Sequence, residues 1–238
     1  MNELRVAVWS DIACPWCWVG KRHLEAAIAR LPHAVSVEWR AFELDRGAPR
    51  SLPEDVDLVE RLAKKYRVSR AQAQAMIDRM TGVGASAGLE LRFDRVRPVN
   101  TFDAHRLLAW ARGRGRQGEL KERLFRAYMH EGRSVADHEE LVAIAETAGL
   151  DDEGARAVLL SDAHAAEVRA DEARARELGV TGVPFFVIGE RYAVPGAQPT
   201  ELLLGAMQRA WSEASEVGTD GVDADTDGAV CGPEGCAV

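Results

Sequence analysis

The chain has 238 residues, 47% hydrophobic and 29% charged, which is enough apolar material to bury a sizeable core. It contains no apolar run of about 18 residues and no basic-then-apolar leader at its start. A membrane span and a secretory signal are therefore not expected, and the expected address is cytoplasmic. Net charge is −8, but residues 216–238 carry six acids and no lysine or arginine. The body is thus near neutral, and neither nucleic acid nor membrane is expected as a partner.

In chain order, Leu4–Trp9 alternates and predicts a strand. Pro15 opens a helix whose apolar positions Val19, Leu24, Ala27, Ile28 and Leu31 carry it to Pro32. Ala34–Phe42 alternates again, giving a βαβ unit with a parallel pair. After a loop with Gly47, Pro49 and Pro53, a helix is predicted over Asp55–Tyr66. A second is opened by the capping box Ser69–Gln72 and ends near Met80 before Gly82, Gly84 and Gly88. Leu89–Phe93 reads as a short extended piece, and Asn100 as the N-cap of a helix holding Phe102, Leu107, Leu108 and Ala111 inward. Further helices are predicted over Glu119–Met129, Asp137–Ala148, Asp151–Leu160 and Ala163–Leu178, the charge-rich stretch from Glu167 to Glu177 forming a solvated face. Val180–Ile188 and Arg191–Val194 form a hairpin, and Pro199–Thr200 starts a helix to about Ser212.

The ends are therefore βαβ and ββα, and the middle is helical. The predicted class is α/β, a thioredoxin-like fold with a large inserted α-helical domain. Its expected division is 1–46 with 165–215 for the thioredoxin-like part, 47–164 for the insert and 216–238 for an acidic tail.

Four cysteines form two tight pairs, Cys14/Cys17 and Cys231/Cys236. Clustered pairs point to catalysis, redox sensing or metal rather than to a disulfide framework. Cys14 stands at a helix mouth, where partial positive charge and free N–H groups favour the thiolate, so its pKa is expected to be depressed. Cys14 is the expected nucleophile and Cys17, one turn inside, the expected resolving thiol. Pro15 and Trp16 tune the thiolate and meet substrate. Pro184 at a strand entrance makes sense as a cis-proline that leaves the Val183 backbone free to pair with an incoming peptide. No metal is expected there. A four-cysteine zinc site completed by Cys231 and Cys236 is the competing reading, but the strand–helix context and Pro184 favour exchange. Asp11 is read as a helix cap, Asn100 and His105 as helix start and packing, and Trp18 as equally suited to packing or recognition.

Cys14-Pro-Trp-Cys17 after a first strand, a helical middle and Gly182-Val-Pro-Phe-Phe-Val resemble the DsbA-like thioredoxin superfamily. Ser10-Asp11, Trp18-Val-Gly-Lys21, Asn100-Thr-Phe-Asp-Ala-His-Arg-Leu107 and Pro195-Gly-Ala-Gln-Pro199 are similar to its FrnE-like branch. The resemblance implies a thiol–disulfide oxidoreductase or isomerase, with a role in oxidative-stress protection, acting on protein or small-molecule disulfides and thiols. No bound cofactor is implied, and glutathione is admitted as a co-substrate. The same scaffold includes 2-hydroxychromene-2-carboxylate isomerases and kappa glutathione transferases, which carry serine at the first cysteine; this chain keeps Cys14. A metal- or redox-sensing protein is the third alternative. Cys231/Cys236 reads as a tethered redox pair that relays electrons to Cys14/Cys17. The oligomeric state is not legible.

Overall fold

A computed structural model describes residues 3–51 and 56–217; Asp55, Cys231 and Cys236 lie outside the described residues. Strand β1 (Leu4–Ser10) leads into α1 (Pro15–Ile28) and β2 (Val35–Ala41). Helices α2 (Leu58–Tyr66), α3 (Arg70–Ser86), α4 (Phe102–Arg112) and α5 (Gln117–Arg126) follow. A π-helical turn (Ala127–Glu131) joins α5 to α6 (His138–Thr147), α7 (Asp152–Leu159) and α8 (Ala165–Glu177). Hairpin β3 (Phe185–Ile188) and β4 (Tyr192–Pro195) leads to α9 (Thr200–Val217).

The four strands form one sheet in the order β2-β1-β3-β4. β1 runs parallel to β2, with Val6 opposite Val37, and antiparallel to β3, with Val8 opposite Phe186. The alternation of β1 sorts the faces. Leu4, Val6 and Val8 pack with Leu24 and Ala27 of α1 and Leu203, Leu204 and Met207 of α9. Trp9 turns the other way, onto Ala175, Val180 and Phe185. The fold is the thioredoxin-like α/β arrangement with a helical middle that the element order implied.

Several boundaries differ from expectation for identifiable reasons. Helix α1 stops at Ile28, short of Pro32. Helix α3 runs through Gly82 and Gly84 to Ser86, because the absent Gly84 side chain admits Leu91: a Cβ there would meet Leu91 Cδ1 at 2.6 Å. Leu89–Phe93 is not a strand; Leu89 and Leu91 are buried, and Arg92 N donates to Met129 O at 2.8 Å. The N-cap of α4 is Thr101, one residue after Asn100, whose side chain accepts from Phe102 N at 3.0 Å. The capping box at Ser69 forms as expected, and Asp137 and Asp151 also cap their helices through their side chains. Helix α8 is not simply solvated: Asp171 and Glu172 are buried, Asp171 holding Arg40 and Ala41 N, and Glu172 holding Arg46 and Arg169.

Edge strand β2 is not left open. The Gln117 amide accepts from Trp39 N at 3.0 Å and donates to Trp39 O at 2.9 Å, so one side chain mimics a neighbouring strand. Gln117→Ala leaves these backbone groups without their partner and is expected to cost about 1–3 kcal/mol. Urea unfolding of wild type and variant measures this, and coincident midpoints would contradict the role.

Candidate active site

β1 delivers the chain through Asp11, Ile12 and Ala13 to Cys14, the N-cap of α1. Pro15 fills the first helical position, where a missing N–H costs nothing. Cys17 lies one turn in, its N–H donating to Cys14 O at 3.0 Å. Both are free thiols. Cys14 keeps 4% exposure and Cys17 none, so only Cys14 offers a face to substrate.

The Val183–Pro184 peptide is cis. The Cys14 thiol donates to Val183 O at 3.4 Å, which joins the β3 entrance to the mouth of α1. The approach depends on Gly20, because a Cβ there would sit 2.9 Å from Pro184 Cγ and 3.3 Å from Phe186. Gly20 had no assigned role in the sequence; a glycine inside a helix is the signal for such close contact.

Asp11 is not the expected helix cap: the N-cap of α1 is Cys14, and no side chain caps it. The Asp11 carboxylate is buried and accepts from Ala13 N at 3.3 Å and Leu44 N at 2.8 Å, while His105 Nε2 lies 3.3 Å away. Burial pushes this carboxyl up, but the His105 contact and charge, Leu44 N–H and Thr101 outweigh it and hold the pKa below the usual range. His105 is therefore a charge partner as well as packing. Trp18 resolves as packing: its ring stacks on Phe125 at 5.9 Å and its Nε1 donates to Glu122 at 3.2 Å. Glu122 also binds Lys21 and Arg22, tying α5 to α1.

The expected depression of the Cys14 pKa is corrected. Its thiol is held well above the ordinary range, first by the hydrogen bond with the Cys17 side chain, next by burial, then by the Cys17 and Asp11 charges, with the Cys17 backbone N–H opposing. The helix-mouth argument considered Cys14 alone; the neighbouring Cys17 sulfur and burial disfavour its charged form and outweigh the helix end. Exchange needs only one thiolate.

A cavity of about 790 Å³ opens beside Cys14. Cys14, Pro15 and Trp16 form one wall. Leu58, Leu62 and Tyr66 of α2, Met76 and Met80 of α3, and Val99, Tyr128 and Met129 complete a mainly apolar lining, with Arg61, Lys65 and Arg79 around it. Trp16, Leu44, Tyr66 and Met76 are all more than 40% exposed, so large apolar surface gathers at this opening. Val183 and Pro184 are not part of the cavity wall; they meet the site through the Val183 carbonyl and the Gly20 contact.

The chain matches the DSBA-like thioredoxin domain over residues 5–208. It belongs to the DsbA-like family. A probable DsbA oxidoreductase from Streptomyces coelicolor is 45% identical, with a TM-score of 0.80 over 99% of both chains. YwbO from Bacillus subtilis is 31% identical across 82% of this chain and 90% of its own length. The cytosolic disulfide reductase DsbM of Pseudomonas aeruginosa, also solved with GSH, shares the fold at 16% identity and a TM-score of 0.57, covering 90% of this chain and 98% of its own. As a DsbA-like protein the chain stands among thiol–disulfide oxidoreductases. Among the described residues no helix is long and apolar enough to cross a membrane.

The raised Cys14 thiol has a measurable consequence. With Cys231 and Cys236 changed to Ser, ultraviolet thiolate absorbance of the reduced chain is expected to show a step well above the ordinary thiol pKa of about 8.5, and Cys17→Ser should remove that step. Because the folded pKa is raised, the stability it contributes is complete below the unfolded thiol value and is lost as pH climbs through the folded one. A single ordinary step in the intact pair contradicts the assignment.

Proposed function

We propose that this DsbA-like chain is a dithiol–disulfide oxidoreductase in which Cys14 attacks and Cys17 resolves. The observation that carries the reading is the placement of Cys14 alone at the wall of an apolar cavity, with Cys17 fully buried behind it. One Cys14 thiolate attacks a substrate disulfide; the Cys14–substrate bond forms as the substrate S–S bond breaks. Cys17 then attacks Cys14, the Cys14–Cys17 disulfide forms, and the substrate leaves as a thiol carrying the Cys17 proton. The reverse sequence oxidises a substrate dithiol.

The lining favours a disulfide flanked by apolar groups, with Trp16 and Tyr66 as contact surfaces and Arg61, Lys65 and Arg79 suited to a nearby carboxylate. Small thiols and peptides both meet that description. The fold shared with a cytosolic disulfide reductase supports a cytoplasmic setting and admits glutathione as a co-substrate. Protection against oxidative stress belongs to the same proposal, resting on the motif resemblance.

Disulfide reduction is expected to vanish in Cys14→Ser, while Cys17→Ser accumulates a covalent Cys14–substrate adduct visible as an added mass. Glutathione-dependent turnover that survives Cys14→Ser would instead favour the isomerase or transferase reading.

The tail pair lies outside the described residues and its relay role stands on the sequence. If Cys231 and Cys236 exchange electrons with Cys14/Cys17, their double Ser variant changes the rate or equilibrium of the active-site couple in a glutathione titration. An identical titration removes the relay.

A further inference from the structure

One buried charged side chain has no task in this chemistry. Lys121 lies on the inward stripe of α5 with Gln117, Leu120, Leu124 and Phe125, and it is fully buried. A lysine at such a position ordinarily carries its ammonium to water along its flexible stem. Here Nζ stays inside and has no hydrogen-bond partner among the described residues. It rests 4.8 Å from the Phe125 ring centroid and 5.7 Å from that of Trp39. Such contacts attract a cation, but by less than burial costs it. Burial accordingly brings the amine down to about 8, opposed by the charges of Cys17 first, then Asp11, then Cys14, while Lys21 reinforces the fall.

The other charged groups around it are engaged. Lys21 binds Glu25 and Glu122, Glu122 also binds Arg22, and Asp11 faces His105. The charge that comes and goes is on the sulfur pair. The reduced pair can carry a thiolate; the disulfide carries none.

We propose that Lys121 is the buried cation of the exchange centre, stabilising the thiolate on the Cys14/Cys17 pair and so biasing that couple toward its reduced form. The inference rests on the exchange reading above. During resolution the Cys17 sulfur becomes anionic as it attacks Cys14, in a site where fixed charges replace water as the source of stabilisation. Lys121 acts through the sulfurs and touches no substrate, so it is a positioning residue. The coupling is reciprocal: whatever Lys121 does for the thiolate, the thiolate does for the Lys121 proton.

That reciprocity can be read in the unaltered full chain. The sequence has four lysines, Lys21, Lys64, Lys65 and Lys121, so a sample labelled with carbon-13 at lysine Cε gives few signals to follow against pH. Lys121 is expected to titrate at higher pH in the dithiol chain than in the disulfide chain. Coincident titrations in the two states overturn the proposal.

Lys121→Met, which keeps the volume, supplies the second arm. Alkylation and peptide mapping read the Cys14–Cys17 peptide separately from Cys231/Cys236 in a glutathione redox series. At a pH where the reduced pair carries a thiolate, the dithiol:disulfide ratio at fixed poise is expected to fall roughly tenfold, the effect of one pK unit of coupling. The thermal midpoint of the oxidised variant should hold or rise, because a buried charge has left an apolar site. A lower midpoint with an unchanged redox ratio means Lys121 is only structural and rejects the proposal. Exchange activity that persists in Cys14→Ser strikes the functional reading instead, since the lysine titration uses no substrate.

Discussion

The site depends first on the buried carboxylate of Asp11. It accepts from Ala13 N just before the dithiol and from Leu44 N just after β2, and it meets His105 on α4. Three segments far apart in sequence are fastened at the mouth of α1 by one side chain. A carboxylate sealed from water remains charged only where several donors converge on it, and that requirement fixes where the donors must be. The Cys14 loop is held in place from behind rather than by its own cap, since α1 has no side-chain cap at Cys14.

The same enclosure explains the two-sided character of the dithiol. Cys14 and Cys17 pack within the hydrophobic cluster that includes α4, α5 and the π-helical turn, rather than the cluster of α1 and α9 against the sheet. The sheet and α1 set the backbone, and the helical middle sets the dielectric. In that environment charges act strongly on one another: Cys17 and Asp11 press Cys14 toward its protonated form, while burial lowers the Lys121 amine against the charges of Cys17, Asp11 and Cys14. The cavity beside Cys14 is built by the same helical middle, so substrate preference and redox chemistry share a wall.

Much of this was visible in local patterns. The β1 alternation, Pro15 at a helix start, the capping box at Ser69, and Pro184 before a β run each depend on neighbours within a few residues. What escaped depends on distant partners. Gly82 and Gly84 suggested a helix end, yet Leu91 fills the space that Gly84 leaves and the helix continues. Asp11 resembled a cap because its long-range donors, Leu44 and His105, cannot be read from its own segment. Lys121 did leave a trace: it falls on the apolar stripe of α5, between Gln117 and Phe125 at helical spacing. A charged residue at such a position invites the question of what it serves.

The sequence by itself determined the chemistry available: two cysteines one turn apart at a helix mouth, a proline positioned to face them, and the order of strands and helices that brings those two ends together. Backbone periodicity, capping and proline stereochemistry are local, so they survive in a one-dimensional reading. Only the tertiary structure decided which sulfur is reachable, which way the Cys14 proton is pushed, what lines the cavity, and that Lys121 is buried. Those properties are set by burial and by charges arriving from β2, α4 and α5. A thiol's pKa is a property of its surroundings, and for Cys14-Pro15-Trp16-Cys17 those surroundings come from across the fold.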